Sequence, residues 1–165
     1  MKAPRSSAAA RRRYEALLQV LGTADAIWNA SRSFFATWDL SPSQFNVLNL
    51  LDGNPGGLSQ TELSRRLIMH RSNVTGLTDR LERKGLVSRK DVAGDRRAYR
   101  VVLTRAGTAL LEQILPEYYA RAEAVWDGLA NNDVPGLTQQ LLALSANAKR
   151  LASARPTQRT TPQKP

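Results

Sequence analysis

Between Val74 and Leu103 the spacing of apolar residues switches from helical to alternating, and few folds accommodate that change in so short a stretch. The segment HRSNVTGLTDRLERKGLVSRKDVAGDRRAYRVVLT, residues 70–104, opens as a helix. Val74, Leu77 and Leu81 lie one turn apart and form a single buried stripe. The helix is predicted from about Arg71 to Lys84, with Gly85 where helices usually stop. Leu86–Lys90 and Tyr99–Leu103 then read as two strands. Asp91–Ala98 joins them as a loop, in which Gly94 is available for a positive φ.

The flanks are helical. Tyr14, Leu17, Leu18, Leu21, Ile27, Trp28, Phe34, Phe35 and Trp38 recur at helical spacing and predict one long first helix. Ser41-Pro-Ser-Gln44 is a capping box with proline in the first turn, and it opens a second helix that ends at the break Asp52–Gly57. Ser59-Gln-Thr-Glu62 is a second capping box, opening a short third helix. After the strands, Thr104 caps a long helix to about Leu129, with Pro116 inside it as an expected kink. Val134-Pro135 starts a last helix with Leu137, Leu141, Leu144 and Ala148 on one face.

Short helix, turn, helix and two-stranded hairpin make a winged helix-turn-helix. The expected fold is therefore mainly α: a winged unit over 41–104, with long flanking helices over 14–40 and 105–151 forming a homodimerisation region. Residues 1–13 and 152–165 are expected to be basic disordered arms.

The charge distribution says what such a head could grip. Of the 165 residues, 24 are Lys or Arg and 14 are Asp or Glu, a formal net charge of +10. Residues 1–13 and 149–165 hold ten basic residues and no acid, so they account for the whole excess. Residues 64–105 carry twelve basic residues against four acids, whereas the rest of 14–148 has only Arg32 and Arg121 against ten acids. A basic head on an acidic body is the pattern of a nucleic-acid binder whose body avoids phosphate.

Other classes are disfavoured. There is no cysteine and a single histidine, which excludes a disulfide framework and a cysteine- or histidine-rich metal site. No cofactor is expected. An enzyme is not expected either, since no nucleophile–base pairing or glycine-rich phosphate loop is present. The start MKAPRSSAAARRR lacks the apolar region of a secretory signal, and no apolar run approaches a membrane span. The expected location is the cytoplasm.

In a helix-turn-helix the second helix enters the major groove of double-stranded DNA. Its candidate contacts are Arg71, Ser72, Asn73, Thr75, Gly76 and Arg80. Gly76 either permits close approach to DNA or is a tolerated cost of about 1 kcal/mol to the helix. The hairpin tip Asp95, Arg96 and Arg97 is suited to the minor groove, with Asp95 orienting the Arg97 guanidinium.

The segment LSQTELSRRLIMHRSNVTGLTDRLERKGLVSRKDVAGDRRAYRVVLT resembles the DNA-binding core of the MarR family of bacterial transcription regulators. LxxRLExKGLV followed by DRRAxxVxLT carries the resemblance, which extends over about 14–150. It implies a homodimer that reads a pseudo-palindromic operator through two winged heads, with the first, fifth and sixth helices interleaved. It implies also that a small aromatic or phenolic ligand controls DNA affinity, most often as release of a repressor. Carried over by position, Ser72, Asn73, Thr75 and Arg80 would touch the major groove and Arg97 the minor groove. Gly76 stands where the family commonly has a larger polar or basic residue, and His70 where it commonly has a Ser, Thr or Asp cap.

For the ligand, Trp28, Arg32, Phe35 and His70 are the candidates. Arg32 lies one turn from Trp28 and could hold an anionic effector by a charge-assisted pair. A second reading from another class is a non-specific architectural protein that coats nucleic acid through its basic arms.

Overall fold

The computed structural model describes residues 7–67, 71–92, 95–128 and 133–153. Among them the order is α1 (Ala8–Ala36), α2 (Pro42–Asp52), α3 (Gln60–Leu67), α4 (Arg71–Arg83), β1 (Val87–Val92), β2 (Asp95–Leu103), α5 (Arg105–Ala124) and α6 (Val134–Ser153). The fold is a winged helix-turn-helix with long helices on either side. The chain divides into two compact units, one ending at Tyr119 and the other beginning at Ala120.

The caps form where the sequence places them. Ser41 Oγ accepts from the Gln44 backbone at 3.2 Å, and Gln44 Oε1 accepts from the Ser41 backbone at 2.9 Å. Glu62 Oε2 accepts from both the backbone N–H and the hydroxyl of Ser59, each at 2.8 Å. Thr104 Oγ1 accepts from Gly107 N at 3.0 Å. Apart from the Ser59 hydroxyl bond, each satisfies a backbone N–H that the start of a helix leaves without an internal partner. Gly85, at φ +69°, lets the chain turn off α4 so that Leu86 N donates to Leu81 O at 3.0 Å.

The core of the first unit gathers one face from each of its elements. Phe34, Phe35, Phe45, Leu48, Leu51, Leu63, Val74, Leu81, Val101, Leu111 and Ile114 are all buried. Phe35 stacks on Phe45 with ring centroids 4.3 Å apart, and Tyr118 closes over both at 5.2 and 4.9 Å. Val74, Leu77 and Leu81 seat α4 on this core as the sequence predicts.

β1 and β2 pair antiparallel from Val87↔Leu103 to Asp91↔Tyr99, with an irregularity between Asp91 and Val92. Leu58 adds a bridge to Val101, bonded both ways at 2.8 and 3.0 Å. The turn before α3 is thereby fastened to the hairpin. Gly57 makes this approach feasible: at φ +73°, an added Cβ would sit 2.5 Å from Val101 O.

Four boundaries differ from expectation. α1 begins at Ala8, not Tyr14, because Ser7 Oγ accepts from Ala10 N and the Ala-Ala-Arg-Arg-Arg run has high helix propensity without any apolar period. Residues 8–13 are thus helix and not a disordered arm. α1 also stops at Ala36, and α5 at Ala124 and not near residue 129. The hairpin is longer than expected: the backbone of Asp95–Ala98 belongs to β2 and not to a loop, with Asp95 paired to Val92 across the irregularity despite the low strand preference of Asp. α5 continues through Pro116 as one helix.

Two helices keep apolar side chains in solvent. On α1, Tyr14, Leu17, Leu18, Leu21, Ile27 and Trp28 are 44–60% exposed. α6, in the second unit, has no buried residue, and Leu137, Leu141 and Leu144 remain 41–46% exposed. No described helix is long and apolar enough to cross a membrane.

Candidate nucleic-acid interface

α4 presents one polar side because its other side is committed to the core. Asn73 and Arg80 are exposed, and Thr75 and Gly76 are half-buried. Asn73, Gly76 and Arg80 follow one another at spacings of three and four, so they share a ridge. Gly76 leaves that ridge shallow: a Cβ there would meet nothing nearer than Arg80 Nη1, at 3.7 Å. Thr78 is turned inward at 1% exposure and donates to the carbonyls of Val74 and Thr75. Arg71 and Ser72 contribute backbone to the first turn of α4.

Asp95, Arg96 and Arg97 lie at the start of β2, two residues beyond the end of β1. Their side chains, like those of Arg71 and Ser72, lie outside the described residues, as does the whole of His70. The backbone places the Asp-Arg-Arg run at the turn end of the hairpin. The Asp95–Arg97 pair is not among the described contacts.

Two arginines that charge counting assigns to the gripping surface are instead held by the protein. Arg89, on β1, has one guanidinium nitrogen against Asp79 and another against Glu82, both on α4. Its guanidinium carbon stands 5.0 Å from the centre of the Tyr99 ring on β2. The bond from Asp79 holds the Arg89 pKa above its ordinary value, so the charge is secured at every pH of interest. Arg100, on β2, donates to Gly57 O at 2.8 and 3.1 Å and to Gly56 O at 3.1 Å, and its Nη2 lies 3.4 Å from Glu62. The Ser59 backbone bond, followed by the Ser59 hydroxyl, holds the Glu62 carboxyl below its ordinary pKa.

The sequence carried a signal for Arg89. It falls two residues after the buried Val87, hence on the inward side of β1. Asp79 and Glu82 sit three apart on α4, one face of one helix. An inward arginine beside two co-facial acids marks a structural pair.

The ligand candidates separate. Arg32 lines a cleft of about 500 Å³ together with Asn29, Ser33, Ala36, Leu40, Ser41 and Pro42. Trp28 is 44% exposed on α1 but is not among the cleft's lining residues. Phe35 is corrected: at 1% exposure it is core, stacked between Phe45 and Tyr118, and it offers no surface to a ligand. Helical spacing alone could not tell a pocket aromatic from a core one. The cleft-lining polar groups Asn29, Ser33 and Ser41 were missed, because three ordinary side chains converge only through the α1–α2 turn. Among the described residues no group of His, Asp or Glu could hold a metal ion.

The sequence profile of the MarR family matches residues 38–98, from the α1–α2 turn to the start of β2. The HTH-type transcriptional repressor YetL of Bacillus subtilis (strain 168) is 38% identical over 101 residues, 61% of this chain and 60% of YetL. The chain thus spans somewhat less than two thirds of that relative's length. The HTH-type transcriptional regulator MhqR of the same organism is 30% identical over 110 residues, 67% of this chain and 75% of MhqR. Among solved structures, the Staphylococcus aureus MepR–DNA complex superposes with a TM-score of 0.71 at 21% identity, covering 81% of this chain and 97% of MepR.

Proposed function

The chain belongs to the MarR family, and on that premise we propose that it is a sequence-specific, DNA-binding transcription regulator acting in the cytoplasm as a homodimer. The observation that carries this reading is the polar ridge of α4. Asn73, Gly76 and Arg80 stand outward on a helix whose opposite side is locked into the core, beside a hairpin whose turn end carries Asp-Arg-Arg. A helix with its side chains fits the major groove, which is about 12 Å wide. Polar side chains that can hydrogen-bond base edges, followed by arginines, are what such a groove selects. Asn73, Thr75 and Arg80, with Ser72 and Arg71 at the helix start, are the proposed major-groove contacts. Arg96 and Arg97, the latter oriented by Asp95, are the proposed minor-groove contacts.

The homodimer is supported by the exposed apolar faces of α1 and α6, each of which a second copy of the chain would cover. Two heads related by a two-fold axis read a pseudo-palindrome. The regulator acts as a repressor, released when a small aromatic or anionic effector occupies the cleft at Arg32. That cleft is in the size range of small-molecule sites, and Arg32 supplies the cation that a carboxylate or phenolate needs.

Fluorescence anisotropy with the DNA upstream of its own gene tests the reading. Arg80→Ala is expected to weaken binding while leaving thermal unfolding unchanged; equal affinity of the two proteins across several salt concentrations contradicts it. For the effector, salicylate-type acids serve as probes. Arg32→Ala is expected to abolish their ability to release DNA, and unimpaired release removes Arg32 from the site.

A further inference from the structure

We propose that Arg89 is a positioning residue for DNA binding: it sets the hairpin against the reading helix and neutralises two carboxylates that would otherwise face phosphate. The inference rests on the DNA-binding reading above and adds to it a residue that touches no DNA.

The chemistry begins with a conflict on α4. Asp79 and Glu82 are half-exposed acids on the helix proposed to enter the groove. Left alone, they oppose an approaching phosphate backbone. Arg89 meets both at once. Its two terminal nitrogens divide between the two acids, and the ring of Tyr99 lies against the guanidinium plane at 5.0 Å. Arg89 pairs across the sheet with Val101, so Tyr99 is its diagonal neighbour two residues along β2. Arg89 is therefore fixed to both strands of the hairpin and to two turns of α4.

That geometry specifies a function. A surface pair between two elements is usually worth little, but a planar fork engaging two acids and one ring restricts angle as well as distance. The Arg89 Nε is buried with no described hydrogen-bond partner, so orientation comes from the terminal nitrogens and the ring. Arg100 holds the neighbouring strand to the carbonyls of Gly56 and Gly57. The hairpin is thus tied on one strand to the reading helix and on the other to the turn ahead of α3. Because Arg89 lies toward the base of the hairpin and Asp95–Arg97 at its turn end, a change of angle at Arg89 displaces the arginines most.

Lysine cannot reproduce this arrangement, since one ammonium cannot span two acids and lie flat on a ring. In the Arg89→Gln background, the double neutralisation Asp79→Asn/Glu82→Gln removes the electrostatic conflict without restoring the angle. These variants separate charge screening from positioning.

The experiment measures operator and random-duplex affinity over a salt series, with hydroxyl-radical footprints, for the full chain and for Arg89→Gln, Arg89→Lys and Asp79→Asn/Glu82→Gln/Arg89→Gln. Arg89→Gln is expected to lose about five- to thirtyfold in affinity on both duplexes, the counterion-release share of one to two phosphate contacts near 0.15 M salt. Its footprint is expected to keep the major-groove protection and lose the flanking minor-groove protection. The triple variant is expected to regain wild-type affinity for random duplex while the minor-groove protection and the operator preference stay lost. Arg89→Lys folds with the charge retained, and is expected to hold random-duplex affinity within about twofold with the same loss of minor-groove protection. An unchanged minor-groove footprint in Arg89→Gln or Arg89→Lys overturns the positioning role, and so does a triple variant that recovers operator preference. If the wild-type chain itself shows no preference between duplexes, the DNA-binding reading fails instead, a result distinct from either.

Discussion

Gly76→Ala asks the structure for two opposite effects from one methyl group. In the interior of a helix, alanine is favoured over glycine by about 1 kcal/mol, because it restricts the unfolded backbone. Here nothing opposes that gain, since the new Cβ would have Arg80 Nη1 as its nearest neighbour at 3.7 Å, an ordinary van der Waals separation. For a chain of this length the gain corresponds to a rise in Tm of about 2–4 °C. On DNA the sign reverses. Gly76 lies on the ridge between Asn73 and Arg80, and a methyl there holds the helix axis away from the bases that both flanking residues must reach. Operator affinity is expected to fall by about tenfold, or about 1.4 kcal/mol. Differential scanning calorimetry and anisotropy on one preparation give both numbers. A variant that is more stable and binds the operator as tightly as wild type refutes the close approach of α4 at Gly76; one that is less stable refutes the helix argument.

Gly107→Ala, also helical, is expected to go the other way. Its Cβ would fall 2.1 Å from Leu86 O and 3.1 Å from Leu103 Cδ2, and a backbone carbonyl cannot step aside, so overpacking of about 3 kcal/mol outweighs the helix gain of about 1 kcal/mol. Urea unfolding reads the difference, and an unchanged midpoint contradicts the packing. Glu62 has a folded pKa below its ordinary 4.5, so the stability it contributes is present above that value and is lost as pH falls through the lower folded one. The Tm gap between wild type and Glu62→Gln is therefore expected to close as the pH falls below the ordinary 4.5; a gap that widens on acidification reverses the sign. Arg11, Arg12 and Arg13 are exposed at the start of α1, where cations oppose the helix dipole. Replacing all three with Gln is expected to weaken binding to operator and random DNA by the same factor, as measured by anisotropy, and a change in their ratio gives these arginines a specific role.

Much of the head was legible because its signals are local. The serines at 41 and 59, Thr104 and Gly85 act within four residues of themselves, and each caps or ends the helix that the sequence assigns to it. The Val74, Leu77 and Leu81 stripe needed only the helical period. The failures share a cause. Residues 8–13 carry propensity without apolar spacing, and Asp95 joins the strand through its pairing with Val92 and not by its own preference. Phe35 is indistinguishable by spacing from an aromatic facing a ligand, and only the arrival of Phe45 and Tyr118 decides it. Arg89 is marked as inward by its distance of two from Val87, but which acids claim it is decided only when its strand docks on α4. Long-range contacts made these assignments, and periodicity does not contain them.

The central claim is that two copies of this head, held by paired long helices, read DNA sequence. Selection of bound duplexes from a random library tests it most directly. The account predicts enrichment of an inverted repeat whose half-sites are centred about 10 bp apart, one helical turn. Enrichment of a single unpaired half-site, or of no sequence at all, contradicts it.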